Sequence, residues 1–218
     1  MLNILFSSPL LFAVYVVALL IGLSVHEFAH AWTADRLGDP TARLAGRMQL
    51  NPLVHIDVTG LLFILFFGFG WGKPVLFDPF NLKNPRKDAA LISLAGPSSN
   101  ILLAVLLSAV LHLLNIFGLS SLMTIGSFFL APIIIFNVML GVFNFIPISP
   151  LDGFKIVGGL LSRTRAEEWY QLERYGIFFL LLMILPIGRG SMLNTLIQPI
   201  INFIANLLIP NAITGSMI

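Results

Sequence analysis

The stretch Gly60-Leu61-Leu62-Phe63-Ile64-Leu65-Phe66-Phe67-Gly68-Phe69-Gly70-Trp71 decides how the chain is threaded. It is uncharged and apolar, yet short: a helix needs about 20 residues to cross a bilayer, and runs of about 10–14 are often re-entrant. Turn-rich segments flank it, with Gly38-Asp39-Pro40 and Asn51-Pro52 before it and Lys73-Pro74, Asp78-Pro79 and Asn84-Pro85 after it. Beyond these lie long apolar runs at Leu10–Trp32, Ala89–Phe117 and Leu122–Ile146, then shorter ones at Ile177–Ile187 and Leu193–Ile209. If the quoted run dips in and returns, Arg36, Arg43, Arg47, Lys73, Lys83, Arg86, Lys87, Lys155, Arg163, Arg165 and Arg174 share one side and Arg189 alone faces the other. That is a strong positive-inside pattern and makes the shared side cytoplasmic. If the run spans, the bias weakens, so the charges favour re-entrance.

The medium follows from composition. Of 218 residues, 57% are hydrophobic and only 10% charged, with mean hydropathy +0.95. Soluble domains carry about a quarter charged residues, so the surface here must mostly face lipid. A net charge of +2 is too small to argue for nucleic acid as a partner. The N-terminus lacks the positive region and cleavage site of a signal peptide, so its first apolar run reads as a permanent span. The expected fold is an all-α polytopic membrane protein of about five transmembrane helices plus the re-entrant segment. Ala45–Leu50 and Lys73–Asp78, with β-compatible residues and proline boundaries, are expected to add a small β-hairpin or sheet.

With no cysteine, disulfides and thiolate metal sites are excluded. Any metal must sit on imidazole and carboxylate. Val25-His26-Glu27-Phe28-Ala29-His30 places HExxH inside the first apolar helix. Positions i and i+4 share a helical face, so both imidazoles can reach one ion, and Glu27 can act on a metal-activated water. The alternative is a polar turn snorkelling to water. A charge at mid-membrane costs at least about 2.5–3.5 kcal/mol, so three ionisable residues in one turn need a use.

Zinc in a catalytic site takes three protein ligands and keeps one position open. Most carboxylates lie in polar loops or in the charged stretch Arg163–Arg174; His55 and Asp57 precede the re-entrant run. Asp152 differs, ending the apolar, twice proline-broken stretch Asn144-Phe145-Ile146-Pro147-Ile148-Ser149-Pro150-Leu151-Asp152-Gly153. Backbone broken at membrane depth must line a protein cavity. Two readings stand: a carboxylate for a buried ion, or an Asp-Gly turn at the membrane edge. The re-entrant topology delivers Asp152 to the HExxH side, and a spanning Gly60–Trp71 would put it opposite. Asn100, after Gly96-Pro97-Ser98-Ser99, can orient a ligand, contact substrate or bond between helices; Asn144 can cap a helix or donate to a substrate carbonyl. His112, Asn115 and Asn137 stand alone in the sequence.

Together these elements resemble the site-2 protease family of intramembrane zinc metalloproteases, whose pattern is HExxH in one core helix, GxxxN in the next and NxxPxxxLDG in the third. They occur here in that order at His26–His30, Gly96–Asn100 and Asn144–Gly153, and the stretches around Gly46–Asp57 and Gly70–Val75 look like the family too. Val58 departs, standing where many relatives have proline. The resemblance implies one Zn2+ per chain on His26, His30 and Asp152, Glu27 as catalytic base, Asn100 and Asn144 as substrate or oxyanion contacts, and transmembrane proteins as substrates. It implies a minimal member without PDZ or CBS domains. Residues 1–160 form the expected protease core, and residues 161–218 a charged connector and two further helices of the same domain. The expected location is a prokaryotic cytoplasmic membrane, with the site near the cytoplasmic side. A metal transporter and a catalytically inactive substrate-binding relative are the rival readings; clustering of the ionisable groups at one depth opposes the first and an intact Glu27 the second.

Overall fold

The computed structural model describes residues 2–67, 70–185 and 190–210. Three helices carry the architecture: α2 (Pro9–Leu37), which follows the short α1 (Leu2–Ser7); α5 (Pro85–Ile116); and α6 (Ser120–Asn144). With 29, 32 and 25 residues, each exceeds the roughly 30 Å hydrocarbon core at about 1.5 Å rise per residue. Their ends have local causes. Gly38 takes a left-handed φ of 110° and closes α2 by donating to the Ala34 and Asp35 carbonyls. Pro85 opens α5 at a position that needs no N–H, and the Asp88 carboxylate accepts from Asn84 N at 2.8 Å.

Three described helices, rather than five, are long and apolar enough to cross a membrane. The last two expected spans are α9 (Glu173–Ile184) and α10 (Met192–Leu208), of 12 and 17 residues. α9 stops because Leu185, at φ −58° and ψ 132°, adopts the extended backbone that a following proline imposes.

The expected β-hairpin is also absent, with no β-strand among the described residues. Residues 45–50 spend amides on local turns, with Arg47 N on the Ala42 carbonyl and Gln49 N on that of Arg47. Residues 73–78 run extended, but prolines 74 and 79 supply no donors and three of the other amides go elsewhere. Lys73 N donates to the His55 carbonyl, while Val75 N and Asp78 N donate to the carboxylates of Glu27 and Asp39.

α4 (Val58–Phe67) starts on Asp57, whose carboxylate accepts from the Thr59 hydroxyl and, at 2.8 Å, from Gly60 N. At 10 residues it cannot cross. The chain returns to its entry point: a Cβ on Gly60 would lie 1.9 Å from the Trp71 carbonyl oxygen, and one on Gly70 2.1 Å from that of Gly60. Entry and exit therefore share one level, the geometry of a re-entrant segment. Gly68 and Phe69, part of the run that decided the reading, lie outside the described residues.

The apolar core sits between α5 and α6, around Ala104, Leu111, Ala131, Ile134 and Val138, with Leu180 and Ile197 closing it from α9 and α10. α7 (Asp152–Leu160) folds back over the start of α5, where Gly159 lies against Ala90 and the Arg86 guanidinium donates to the Leu161 carbonyl. α8 (Arg163–Tyr170) locks it there, with the Trp169 indole N–H on the Phe154 carbonyl at 2.9 Å.

Asp39 ties the turn before α3 (Thr41–Leu44) to the turn at residues 78–81. Fully buried, it accepts from Thr41 and, at 2.8 Å each, from Asp78 N and the Asn81 amide. Burial raises its pKa, but the bonds from Thr41, Asn81 and Asp78 outweigh it and hold the carboxyl below the usual range. The stabilisation is thus full at neutral pH and is lost as pH falls below about 4, through the folded pKa. Asp39→Ala strands these donors and should cost about 3 kcal/mol, read as a lower Tm in detergent at pH 7; most of the difference from wild type should vanish in acid.

Candidate metal centre

The HExxH turn lies deep in α2, where His26, Glu27 and His30 are all buried. Successive helical turns bring both imidazoles to one face: His26 Nε2 and His30 Nε2 are 3.0 Å apart. The third group arrives from far along the chain. α6 ends at Asn144, two prolines turn the backbone, and α7 begins with Asp152. Its Oδ2 lies 3.1 Å from His26 Nε2 and 3.2 Å from His30 Nε2. Gly153 permits the turn, since a Cβ there would lie 2.3 Å from the Phe145 carbonyl oxygen.

Hydrogen bonding makes Nδ1 of each ring a donor. Asn137 Nδ2 donates to the Ile133 carbonyl at 2.8 Å, so its Oδ1 faces Asn100. Asn100 Nδ2 donates to that oxygen and to the Gly22 carbonyl, at 2.8 and 2.9 Å. Its Oδ1 therefore faces His26 Nδ1 at 2.7 Å, and Nδ1 must be the donor. His30 Nδ1 likewise meets only an acceptor, the Ile92 carbonyl at 2.7 Å. With both rings neutral, the Nε2 atoms present lone pairs to one another and to Oδ2, a buried oxygen with no hydrogen-bond partner.

Three ligand atoms within 3.2 Å of one another, two imidazole nitrogens and a carboxylate oxygen, suit a cation between them. Their spacing suits a small one, because ligands about 2.0–2.1 Å from a tetrahedral zinc ion lie about 3.3 Å apart. Gly96 leaves room for the group: a Cβ there would lie 2.4 Å from His30 Nε2 and 2.7 Å from His26 Cε1. The residues present fit zinc, and the carbonyl and carboxamide behind the rings are the second shell such sites use.

Glu27 faces a cavity of about 630 Å³ shared with His26, His30 and Asp152 and otherwise largely apolar, with walls including Leu23, Ile64, Trp71, Phe143 and Leu181. Its Oε2 accepts from Val75 N at 2.8 Å, so the extended residues 73–78 pass directly beside its carboxylate.

Residues 14–125 and 112–185 match the model of peptidase family M50. The chain belongs to peptidase family M50, the site-2 protease family. M50 membership and three bilayer-length apolar helices make it a membrane-associated metalloprotease. It is 37% identical over 177 residues to "Putative zinc metalloprotease YwhC" of Bacillus subtilis, covering 79% of this chain and 81% of that protein. To "Putative zinc metalloprotease Rip2" of Mycobacterium tuberculosis it is 30% identical over 181 residues, covering 80% of this chain and 67% of the other. "Zinc metalloprotease MJ0392" of Methanocaldococcus jannaschii matches at 23% over 159 residues, 72% of this chain and 37% of the other. No solved structure matches the chain.

Of the M50 motif residues, the structure gathers His26, His30 and Asp152, with Glu27 beside them. Asn100 takes the orienting role among those open to it. Fully buried, with both amide hydrogens spent on Gly22 and Asn137 and its oxygen on His26, it has no donor left for a substrate carbonyl. Asn144 borders the cavity but donates to the Leu140 carbonyl at 3.0 Å and touches none of the three convergent groups. Asn137, isolated in the sequence, proves to be the second link behind His26. The Ile92 carbonyl behind His30 has no sequence signal at all.

Asn100→Ala removes the acceptor that orients His26. Metal affinity should fall about 10–100-fold, read by competition with a chromophoric chelator, while Gly96→Val, which fills the site, should abolish stoichiometric zinc.

Proposed function

We propose that the chain is an intramembrane zinc endopeptidase of the site-2 type, cutting peptide bonds within or near transmembrane segments of membrane proteins, as in regulated intramembrane proteolysis. His26, His30 and Asp152 would hold one zinc ion. The observation that carries the reading is the convergence of two imidazoles and a carboxylate beside Glu27 in a cavity between apolar helices.

Zinc, when bound, supplies a Lewis acid that makes water nucleophilic near neutral pH and polarises the scissile carbonyl. Glu27 takes the proton of the attacking water and returns it to the leaving amine. Asn144 keeps one amide N–H free of Leu140 and is the side chain placed to hold a substrate carbonyl. A helical substrate must unwind before its carbonyls are accessible. The extended residues 73–77 offer an unwound strand a partner by backbone pairing, even without a preformed sheet. The basic residues on one side of the re-entrant topology orient the site towards the cytoplasm of a prokaryotic cell. The partners are lipid and a transmembrane protein, with no role for nucleic acid.

Glu27→Gln should retain one zinc per chain and lose cleavage of a model transmembrane peptide by at least about 100-fold, and a chelator should abolish wild-type cleavage reversibly. A zinc-loaded variant cutting at the wild-type rate would sink the role of Glu27. Val75→Pro removes the amide above Glu27 and should lower cleavage about tenfold with zinc content unchanged.

A further inference from the structure

Resting on the protease reading, we infer that Lys155 is a specificity-determining residue that binds an acidic side chain of the substrate near the scissile bond. Lys155 is one turn along α7 from Asp152, at i+3, so both side chains share a helical face. Both line the cavity, and among the described residues that do, Lys155 is the only lysine or arginine. Its ammonium has no carboxylate within 4.0 Å among the described residues; it rests over the Phe77 ring, 4.9 Å from the centroid.

The carboxylates around it are otherwise engaged. Asp152 faces the two imidazoles, Glu27 accepts from Val75 N, and Asp57 accepts from Thr59 and Gly60. A cation held in an apolar cavity on a ring face keeps only part of the interaction a carboxylate would give it. Phe77 also belongs to the extended segment that passes over Glu27. A strand entering between this segment and α7 would meet the ammonium within a few residues of the zinc ligands. The occupant that completes the pocket is an anion brought by that strand: the carboxylate of a substrate Asp or Glu.

The test uses full-length, zinc-loaded protein in detergent and a panel of transmembrane peptides with Glu, Gln or Lys at each position flanking the cut. Wild type should favour Glu over Lys at one position by about tenfold in kcat/KM. Lys155→Glu should invert that ratio, Lys155→Met should bring it close to one, and Lys155→Arg should keep it, all with one zinc per chain as the check on the fold. If Lys155→Glu is inactive, Lys155→Met decides on the same ratio. Cleavage with no acidic preference, or a preference unchanged in Lys155→Glu and Lys155→Met, overturns the inference. A flat panel combined with Lys155-dependent inhibition by peptides ending in a free carboxylate, and not by their amides, overturns it in favour of the new product terminus. No cleavage of any peptide by wild type overturns the protease reading beneath it.

Discussion

Two hydrogen bonds made by imidazole Nδ1 atoms, to Asn100 Oδ1 and to the Ile92 carbonyl, determine what the centre of this molecule can do. A neutral imidazole has one donor and one acceptor nitrogen, and fixing the donor outwards leaves the acceptor inwards. Here that happens twice on one helical face. The fixing groups come from α5, so the site exists only when α2 and α5 are docked. Asn137 extends the relay to α6, so the bonds that orient His26 also join three helices. Within lipid such a chain cannot trade its partners for water, and every carboxamide in it is satisfied. Functional alignment and helix association are therefore one set of interactions.

Close approach is the second constraint. Gly96 lets α5 come so near the imidazoles that any side chain would occupy the space between them, and Gly153 lets the start of α7 turn against the last carbonyls of α6. Pro97, one residue on from Gly96, lacks the N–H that the turn containing Ile92 and Ser93 would otherwise use. Small residue, break and polar side chain fall within one short stretch because together they let a polar group reach across a helix interface.

Much of this was readable in the sequence wherever the cause was local. The three long apolar runs became α2, α5 and α6 within a few residues of their expected limits, and i, i+4 spacing alone put His26 and His30 on one face. Charge bias favoured a returning Gly60–Trp71, and the contacts of Gly60 with Gly70 and Trp71 have that geometry. Readings failed where a distant partner decided. Residues 73–78 have strand character, but carboxylates of Glu27 and Asp39, tens of residues away, claim their amides. The run from Ile177 looked continuous in hydropathy, whereas proline at 186 ends α9 at Ile184. Asn137 looked solitary because its partner, Asn100, is on another helix. Asp152 left two readings open because no spacing rule says where the chain goes after two prolines; the packing of α7 on α5 brings its carboxylate beside the two imidazoles.

The balance of charge explains how so polar a centre can sit among apolar helices. A lone carboxylate or ammonium there would be costly, and a group of like acceptors would repel. Two neutral imidazoles, the carboxylates of Glu27 and Asp152 and one divalent cation sum to zero, so the loaded site enters the low-dielectric interior as a neutral cluster. Removing any one charge leaves the remainder unbalanced, which is a stronger constraint than the distances alone. Lys155 stands outside this sum. On the same cavity wall, it has an aromatic face in place of a paired counter-ion, and the Asp57 carboxylate elsewhere on that wall balances its charge without bonding to it. That ammonium is not needed to hold the metal or to activate water; its natural direct partner is a carboxylate that comes and goes with the substrate.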